Sequence, residues 1–278
     1  MSGVTTVEAA TELPDTVRAA VRDLILCLAD SKRLLGMRYA GWILGAPELE
    51  AGIAAASMAQ DEWGHARLLY SLLRDFGDDV EKLEHGREAA DYRSMEALDA
   101  EPAGWPGFVA LNALADTALS VQFEALRGSS YAPLRQRVEK LLDEERFHQA
   151  HGAAWFRRLA AASEPAKQAV TDAAAALQPL LLAWFGPDSE RARELLDADV
   201  VDAAGSELRA RYLGRVAPLL EALGQGPMSQ GSGTRGQGSS IVPADFDEAR
   251  RRSASAGAPD EVTIRRLRGD LNRAFLMD

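Results

Sequence analysis

Long segments with helical periodicity and no strand alternation constrain the fold of this chain most strongly. Apolar residues recur at helical spacing in six segments, namely residues 17–44, 47–76, 105–127, 133–162, 164–184 and 189–223. No segment alternates apolar and polar residues over a strand length, and no hairpin signal is present. The pattern therefore predicts an all-α fold.

The length of the first four segments indicates how the helices pack. They span roughly 24 to 30 residues each, about twice the usual helix length. Short turns such as Gly45-Ala46-Pro47 separate them. Long helices joined by short turns pack as antiparallel neighbours. We therefore predict a ferritin-like long antiparallel four-helix bundle with additional C-terminal helices over residues 1–223.

The composition changes after residue 223. Residues 224–242 are rich in Gly, Ser and Gln and are predicted to form a flexible linker. Residues 243–278 form a C-terminal tail with two predicted short helices, at 243–253 and 260–276. The second combines an apolar stripe with several arginines, and we expect it to dock on the bundle or on a partner subunit in preference to a membrane.

Charge and cysteine content exclude several classes of partner and compartment. The chain has 31 Lys and Arg against 42 Asp and Glu, a net charge of −11, which disfavours nucleic acid and anionic lipid as partners. No apolar stretch is long enough to cross a membrane, and no secretory signal is recognisable. Cys27 is the only cysteine. We expect a cytoplasmic protein.

Two Glu-x-x-His pairs carry the chemistry of this sequence. Glu62 precedes His65 by three residues on the second long segment, and Glu145 precedes His148 by three residues on the fourth. Residues i and i+3 share one face of a helix, so each pair presents a carboxylate and an imidazole to one point. Ferritin-like dimetal proteins need this arrangement, completed by one carboxylate from each of the other two helices.

The register of antiparallel helices predicts those two carboxylates. Asp30 lies as far before the turn at Ala46 as Glu62 lies after it. Asp116 lies almost as far before the turn at Ser130 as Glu145 lies after it. Each is an isolated acid in its part of the helix. The sequence therefore predicts a site with six ligands: Asp30, Glu62, His65, Asp116, Glu145 and His148.

Mixed carboxylate and imidazole ligation suits iron, with manganese as the alternative, better than zinc or copper. Two such ions with open positions between them would bind and activate O₂. Asp61 and Glu144 each precede a ligand glutamate, and His151 lies one turn beyond His148. These three residues are candidates for hydrogen bonds to the ligands, with plain surface polarity as the alternative.

Four groups of segments resemble one family, the bacterial multicomponent phenylacetyl-CoA epoxidases. Residues 28–37 with 46–49 resemble the first helix and turn of both large subunits. Residues 58–66 resemble the second helix of the catalytic subunit, and residues 130–133 with 143–152 resemble its fourth. Residues 185–188 and 207–218 resemble its late helices, so the resemblance spans roughly residues 17–225.

The resemblance implies an activity. In this family the catalytic subunit binds two iron ions and inserts one oxygen atom of O₂ into the aromatic ring of an acyl-CoA, with electrons from a separate reductase. Glu62, His65, Asp116, Glu145 and His148 fall on catalytic-type ligand positions, whereas Asp30 stands where the family has a glutamate. The resemblance thus implies a di-iron monooxygenase that forms homodimers or hetero-oligomers with a homologous subunit.

Two alternatives remain open from the sequence. A sister subunit of the same fold lacks the metal ligands and acts structurally, and the segment around Asp30 is more similar to that sister chain. A ferritin-like di-iron oxidase with a substrate other than a CoA thioester, or an iron-storage protein, would use the same four helices. Metal content and oligomeric size distinguish these alternatives.

Overall fold

The computed structural model describes residues 6–224, 241–270, 272 and 275. Its α-helices are α1 Asp15–Ala40, α2 Leu49–Leu72, α3 Val80–His85, α4 Gly104–Ala110, α5 Asp116–Ala125, α6 Ala132–Ala160, α7 Glu164–Trp184, α8 Glu190–Asp197, α9 Gly205–Ala222 and α10 Glu261–Arg268. Short 3₁₀ helices cover Ala10–Glu12, Leu73–Phe76, Ala89–Asp91 and Glu96–Leu98, and a π-helical segment covers Leu111–Ala115. Two strands, β1 Phe246–Asp247 and β2 Arg252–Ser253, complete the described elements.

Four long helical units form the bundle, which confirms the predicted all-α, ferritin-like architecture. They are α1 with 26 residues, α2 with 24, the continuous unit from α4 through the π segment to α5, and α6 with 29. Helices α1 and α2 run antiparallel, since Gly52 near the start of α2 packs on the carbonyl of Ile43, and Gly36 of α1 packs on Trp63 farther along α2. A Cβ at either glycine would lie within 2.7 Å of these atoms, so the two helices approach closely.

Helix α1 is the central element of the bundle. Every residue from Leu24 to Gly36 is buried, including the polar residues Asp30, Ser31 and Lys32, which are fully covered. A helix that is buried on all sides must satisfy its polar side chains within the protein. The polar residues of α1 therefore face partners on other elements, and these partners define the site described below.

The third long unit contains a π-helical segment immediately before Asp116. Residues Leu111–Ala115 adopt this wider turn, and α5 starts at Asp116 itself. Gly152 of α6 packs against the segment, where a Cβ would lie 2.8 Å from the Asn112 side chain. π-Helical turns are rare and concentrate at functional sites, and this one ends directly before Asp116.

The late part of the chain differs from two sequence predictions. The predicted helix over 189–223 is two helices, α8 and α9, because the chain turns between them and Asp199 has a φ of 53°. The predicted helix over 243–253 is wrong: β1 pairs with β2 in an antiparallel hairpin. The carboxylate of Asp247 accepts hydrogen bonds from the backbone N–H groups of Ala249 and Arg250, which fixes a turn in place of a helix.

Helix α10 lies against the bundle. Ile264 is buried beside Tyr92, and Arg33 of α1 donates a hydrogen bond of 2.7 Å to the carbonyl of Leu267. The predicted linker falls almost wholly outside the described residues. The second predicted tail helix is described as far as residue 270, and most of the part predicted beyond that residue lies outside the described ranges. Within the described ranges, no helix has both the length and the apolar character needed to cross a bilayer.

Candidate functional site

A buried cluster of acids and histidines lies where the bundle helices meet. Glu62 of α2, Asp116 of α5, and Glu145 and His148 of α6 each offer one ligand atom, and these four atoms lie within 4.8 Å of one another. All four residues are buried. His65 lies beside them, with its Nδ1 atom 3.1 Å from Oε1 of Glu145. The structure thus brings together five of the six residues that the sequence predicted as ligands.

The ammonium group of Lys32 lies among these carboxylates. Its Nζ atom is 3.0 Å from both oxygens of Glu62, 3.0 Å from Oδ1 of Asp116 and 2.6 Å from Oε1 of Glu145. The Lys32 side chain is fully buried, as are all three carboxylates. A lysine ammonium has three N–H donors, and here it donates one hydrogen bond to each carboxylate. The first helix therefore contributes a cation to the cluster.

Asp30, the sixth predicted ligand, lies elsewhere. Its carboxylate accepts hydrogen bonds from Arg87, from the Tyr70 hydroxyl and from the backbone N–H of Arg93. Two residues along a helix correspond to about 200° of rotation, so Asp30 and Lys32 point to nearly opposite sides of α1. The register argument located the correct level of the helix, but residue 32, and not residue 30, faces the cluster.

The two acids that precede the glutamates contact histidines on the opposite helix. Glu144 of α6 lies 2.7 Å from Nε2 of His65, and Asp61 of α2 lies 3.2 Å from Nε2 of His148. Each imidazole is therefore held in its orientation by a carboxylate of the facing helix. His151 is half-buried, and its Nδ1 atom is 3.0 Å from the side-chain oxygen of Asn112.

Further polar residues that the sequence reasoning missed contact the cluster. The Tyr39 hydroxyl donates to Oδ2 of Asp116 at 3.0 Å, and the Ser120 hydroxyl donates to Oε2 of Glu145 at 3.3 Å. Tyr39 lies two helical turns after Lys32 on the same face of α1, and this spacing is visible in the sequence. A lysine on an otherwise apolar helix face was the available signal, and a search restricted to carboxylates does not detect it.

Protonation balances the remaining negative charge of the cluster. Burial lowers the pKa of the Lys32 ammonium, but the three carboxylates more than reverse this and raise it above its usual value. Burial would raise the pKa of Asp116, but the same ammonium holds that pKa well below its usual value. Burial and the charge of Asp116 raise the pKa of Glu145 to about 8.

The two histidines differ in charge. Burial alone would lower the pKa of His148, but hydrogen bonds to Asp116 and Glu62 raise it to about 11. Burial lowers the pKa of His65, whose Nε2 atom faces Glu144 near the surface. At neutral pH the cluster therefore contains two cations, Lys32 and a protonated His148, among its three carboxyl groups.

The donor chemistry decides what the cluster can hold. Carboxylates and imidazoles could hold a metal ion, and the four grouped ligand atoms are close enough together to share one cation. The Lys32 ammonium already lies between them, and the set is one carboxylate short of the four found in ferritin-like dimetal centres. With Lys32 in this position, the residues present do not fit a pair of metal ions.

Comparison with known proteins identifies the family. The model of the family described as "Phenylacetic acid catabolic protein" matches residues 1–240. The chain belongs to this family. It is also 31% identical over 232 residues to one of the subunits of the 1,2-phenylacetyl-CoA epoxidase of Escherichia coli (strain K12), an alignment that covers 79% of this chain and 72% of that protein. The family resemblance inferred from the sequence motifs is thereby confirmed.

Proposed function

We propose that this chain is part of a multicomponent oxygenase that acts on an aromatic acyl-CoA. The observation that supports the proposal is the convergence of two Glu-x-x-His pairs and Asp116 in one buried cluster of a ferritin-like bundle. The relative in Escherichia coli bears the name of an epoxidase of phenylacetyl-CoA, which supplies the reaction class and the substrate class of the proposal.

In the first version of this function the chain is itself the catalytic subunit. Glu62, His65, Asp116, Glu145 and His148 would then ligate iron, or manganese, and a separate reductase would supply electrons. Bound metal would supply the O₂ chemistry that side chains cannot perform. This version requires Lys32 to leave the centre and requires a further ligand, which Asp30 does not offer from its pairing with Arg87.

In the second version the chain is a non-catalytic subunit that assembles with a catalytic homologue. The position of Lys32 favours this version, because its ammonium neutralises carboxylate charge without metal. The bundle then has a structural role within the oxygenase. Both versions predict a homodimer or a hetero-oligomer of related bundles, since the relative is named as one subunit of its enzyme.

Reconstitution tests the proposal and separates its versions. The chain is loaded anaerobically with Fe(II), mixed with a generic reductase and phenylacetyl-CoA, and supplied with O₂, while product is followed by mass spectrometry. Product that disappears in a His148→Ala variant supports the catalytic version. No product from the chain alone, together with stable association with a catalytic homologue from the same host, supports the structural version. Neither product nor association would overturn the proposal.

A further inference from the structure

We infer that Lys32 is a built-in cation that replaces metal at the centre of this bundle, and that residue 32 is the single position that closes the site to a metal pair. The inference deepens the proposed function, because it assigns the chain to the non-catalytic kind of subunit. It rests on the proposed function for that assignment alone. Its physical basis is the contact geometry of the Lys32 ammonium and of the carboxylate oxygens around it.

The first step is that Lys32 links all four bundle units at one point. Its stem comes from α1, and its ammonium contacts Glu62 of α2, Asp116 of α5 and Glu145 of α6. The side chain is fully buried, and the ammonium lies 5.7 Å from the ring centroid of Phe123. This ammonium has three carboxylate partners and no contact with solvent. Its departure from the site would leave three buried acids without a compensating charge, which is costly, so the fold holds it in place.

The second step is that five of the six carboxylate oxygens of the cluster accept a hydrogen bond from a protein donor. Lys32 donates hydrogen bonds to one oxygen of each acid, and the second oxygen of Glu62 is in ion-pair contact with it at 3.0 Å without hydrogen-bond geometry. The second oxygen of Asp116 accepts from Tyr39, and that of Glu145 accepts from Ser120. Buried acids with partners of this kind do not require an added cation. The cluster is therefore compensated without metal.

The third step concerns position 32 itself. Residue 32 is where α1 faces the centre, so a carboxylate there would complete a set of four carboxylates and two histidines. A lysine at this position has two effects at once, since it withholds the last ligand and fills the space with positive charge. Exchange of this one side chain for glutamate is therefore expected to open the centre to metal.

The experiment compares Co(II) binding by the full-length chain and by its variants. The Lys32→Glu variant is expected to bind roughly two Co(II) ions per chain, because its centre would have four carboxylates and two histidines. Its melting temperature is expected to rise when Co(II) is added. The wild-type chain is expected to bind no Co(II) and to melt at the same temperature with and without it. Lys82→Glu makes the same change of charge at an exposed position and is expected to behave as wild type.

Two outcomes would overturn the inference. One is two Co(II) ions bound by the wild-type chain, because Lys32 would then be compatible with a metal pair. The other is a folded Lys32→Glu variant, judged by circular dichroism, that binds no metal. If Lys32→Glu does not fold, Lys32→Met provides the second test, because it removes the ammonium without adding a ligand, and it is expected to bind about one Co(II) ion per chain. In that case a folded Lys32→Met variant that binds no Co(II) would also overturn the inference.

Failure of this inference and failure of the proposed function give different results. Metal binding by the wild-type chain would transfer support to the catalytic version and leave the oxygenase assignment intact. Loss of the oxygenase assignment would instead appear as absence of both product and association in the reconstitution, whatever the metal content of the variants.

Discussion

Two buried ionic clusters lie on opposite sides of α1, two residues apart, and they differ in sign. Around Asp30, one carboxylate is surrounded by donors from Arg87, Tyr70 and the Arg93 backbone. Around Lys32, one ammonium is surrounded by three carboxylates. In the first cluster the charges of Asp30 and Arg87 cancel, whereas in the second the acids outnumber the lysine and protons supply the remaining balance.

The difference indicates what each cluster is for. A neutral, hydrogen-bonded pair such as Asp30 with Arg87 holds the segment from Arg87 to Arg93 against α1 and has no capacity for another ion. A cluster with more acids than fixed cations changes its charge with pH and with the residue at position 32. Four substitutions test this comparison, in order of their expected effect on the free energy of unfolding.

Removal of the Lys32 charge has the largest expected effect. Lys32→Met leaves three buried carboxylates without their cation, and we expect a loss of about 4 kcal/mol at pH 8, within the range for a broken buried ion pair. The loss is expected to be smaller at pH 5.5, because the unpaired acids take up protons in the folded state. Urea denaturation at both pH values measures this, with Lys82→Met as the exposed control. An equal loss of unfolding free energy at both pH values would contradict the conclusion that the acids of this cluster outnumber its fixed cations.

Removal of the partner of Asp30 has the next largest effect. Arg87→Met leaves Asp30 with the Tyr70 hydroxyl and the Arg93 N–H alone, and we expect a loss of about 3 kcal/mol in urea denaturation. The double variant Asp30→Asn with Arg87→Met is expected to recover part of this loss, because it removes the unpaired charge. No recovery would mean that Arg87 stabilises the chain by packing on Tyr92 and not through its ion pair.

The charge on His148 predicts a pH dependence of stability. Its pKa is raised from 6.5 to about 11, so the folded chain holds a proton that the unfolded chain releases above about pH 6.5. The stabilising contribution of His148 is therefore full below pH 6.5 and declines as pH rises toward 11. We expect a flatter decline between pH 7 and 10 for His148→Asn in urea denaturation.

His151 is the matched control for that measurement. Burial lowers the pKa of His151, so both folded and unfolded chains hold it neutral above pH 7. His151→Asn is expected to leave the decline between pH 7 and 10 unchanged. A decline that flattens equally in both variants would show that the proton is not held on His148.

The acids at the edge of the Lys32 cluster have the smallest expected effect. The Glu144 side chain is 37% exposed where it contacts His65, so Glu144→Gln is expected to change stability by less than about 1 kcal/mol. In the Lys32→Glu background the same change is expected to weaken Co(II) binding by about 10- to 100-fold, since Glu144 orients the imidazole. Urea denaturation measures the first effect, and isothermal titration of Co(II) into the Lys32→Glu chain with and without Glu144→Gln measures the second. An equal affinity for Co(II) with and without the Glu144 carboxylate would mean that Glu144 is a surface charge that does not orient the His65 ring.

The sequence could predict most of the fold, and the reasons are local. Apolar spacing predicts α2 and α6 because burial of one face dictates it, and an almost continuous run of apolar residues predicts the buried part of α1. The Glu-x-x-His spacing brings each pair to one face. Periodicity misses the hairpin of β1 and β2 because the Asp247 turn competes with a weak helical pattern. It misses the break between α8 and α9 because an amphipathic pattern continues across the turn at Asp199.

The site is predictable only in part, for a related reason. The Glu-x-x-His spacing is enough to find the pairs Glu62 with His65 and Glu145 with His148, and distance from a turn is enough to find Asp116. Counting from a turn gives a height along the helix and no direction around it, so it selects Asp30 over residue 32. Lys32 escapes such a search because a metal site is sought among anionic and imidazole ligands, and a lysine does not belong to that class.

What the sequence determined by itself is the helical bundle, the family-specific motifs and the presence of paired acids and imidazoles on facing helices. These follow from periodicity and spacing, which act within one helix or across one turn. Only the tertiary structure decided which side of α1 faces the acids, and hence that a lysine occupies their centre. The physical reason is that the rotation of a buried helix is set by packing against all of its neighbours at once, and no local pattern contains that information.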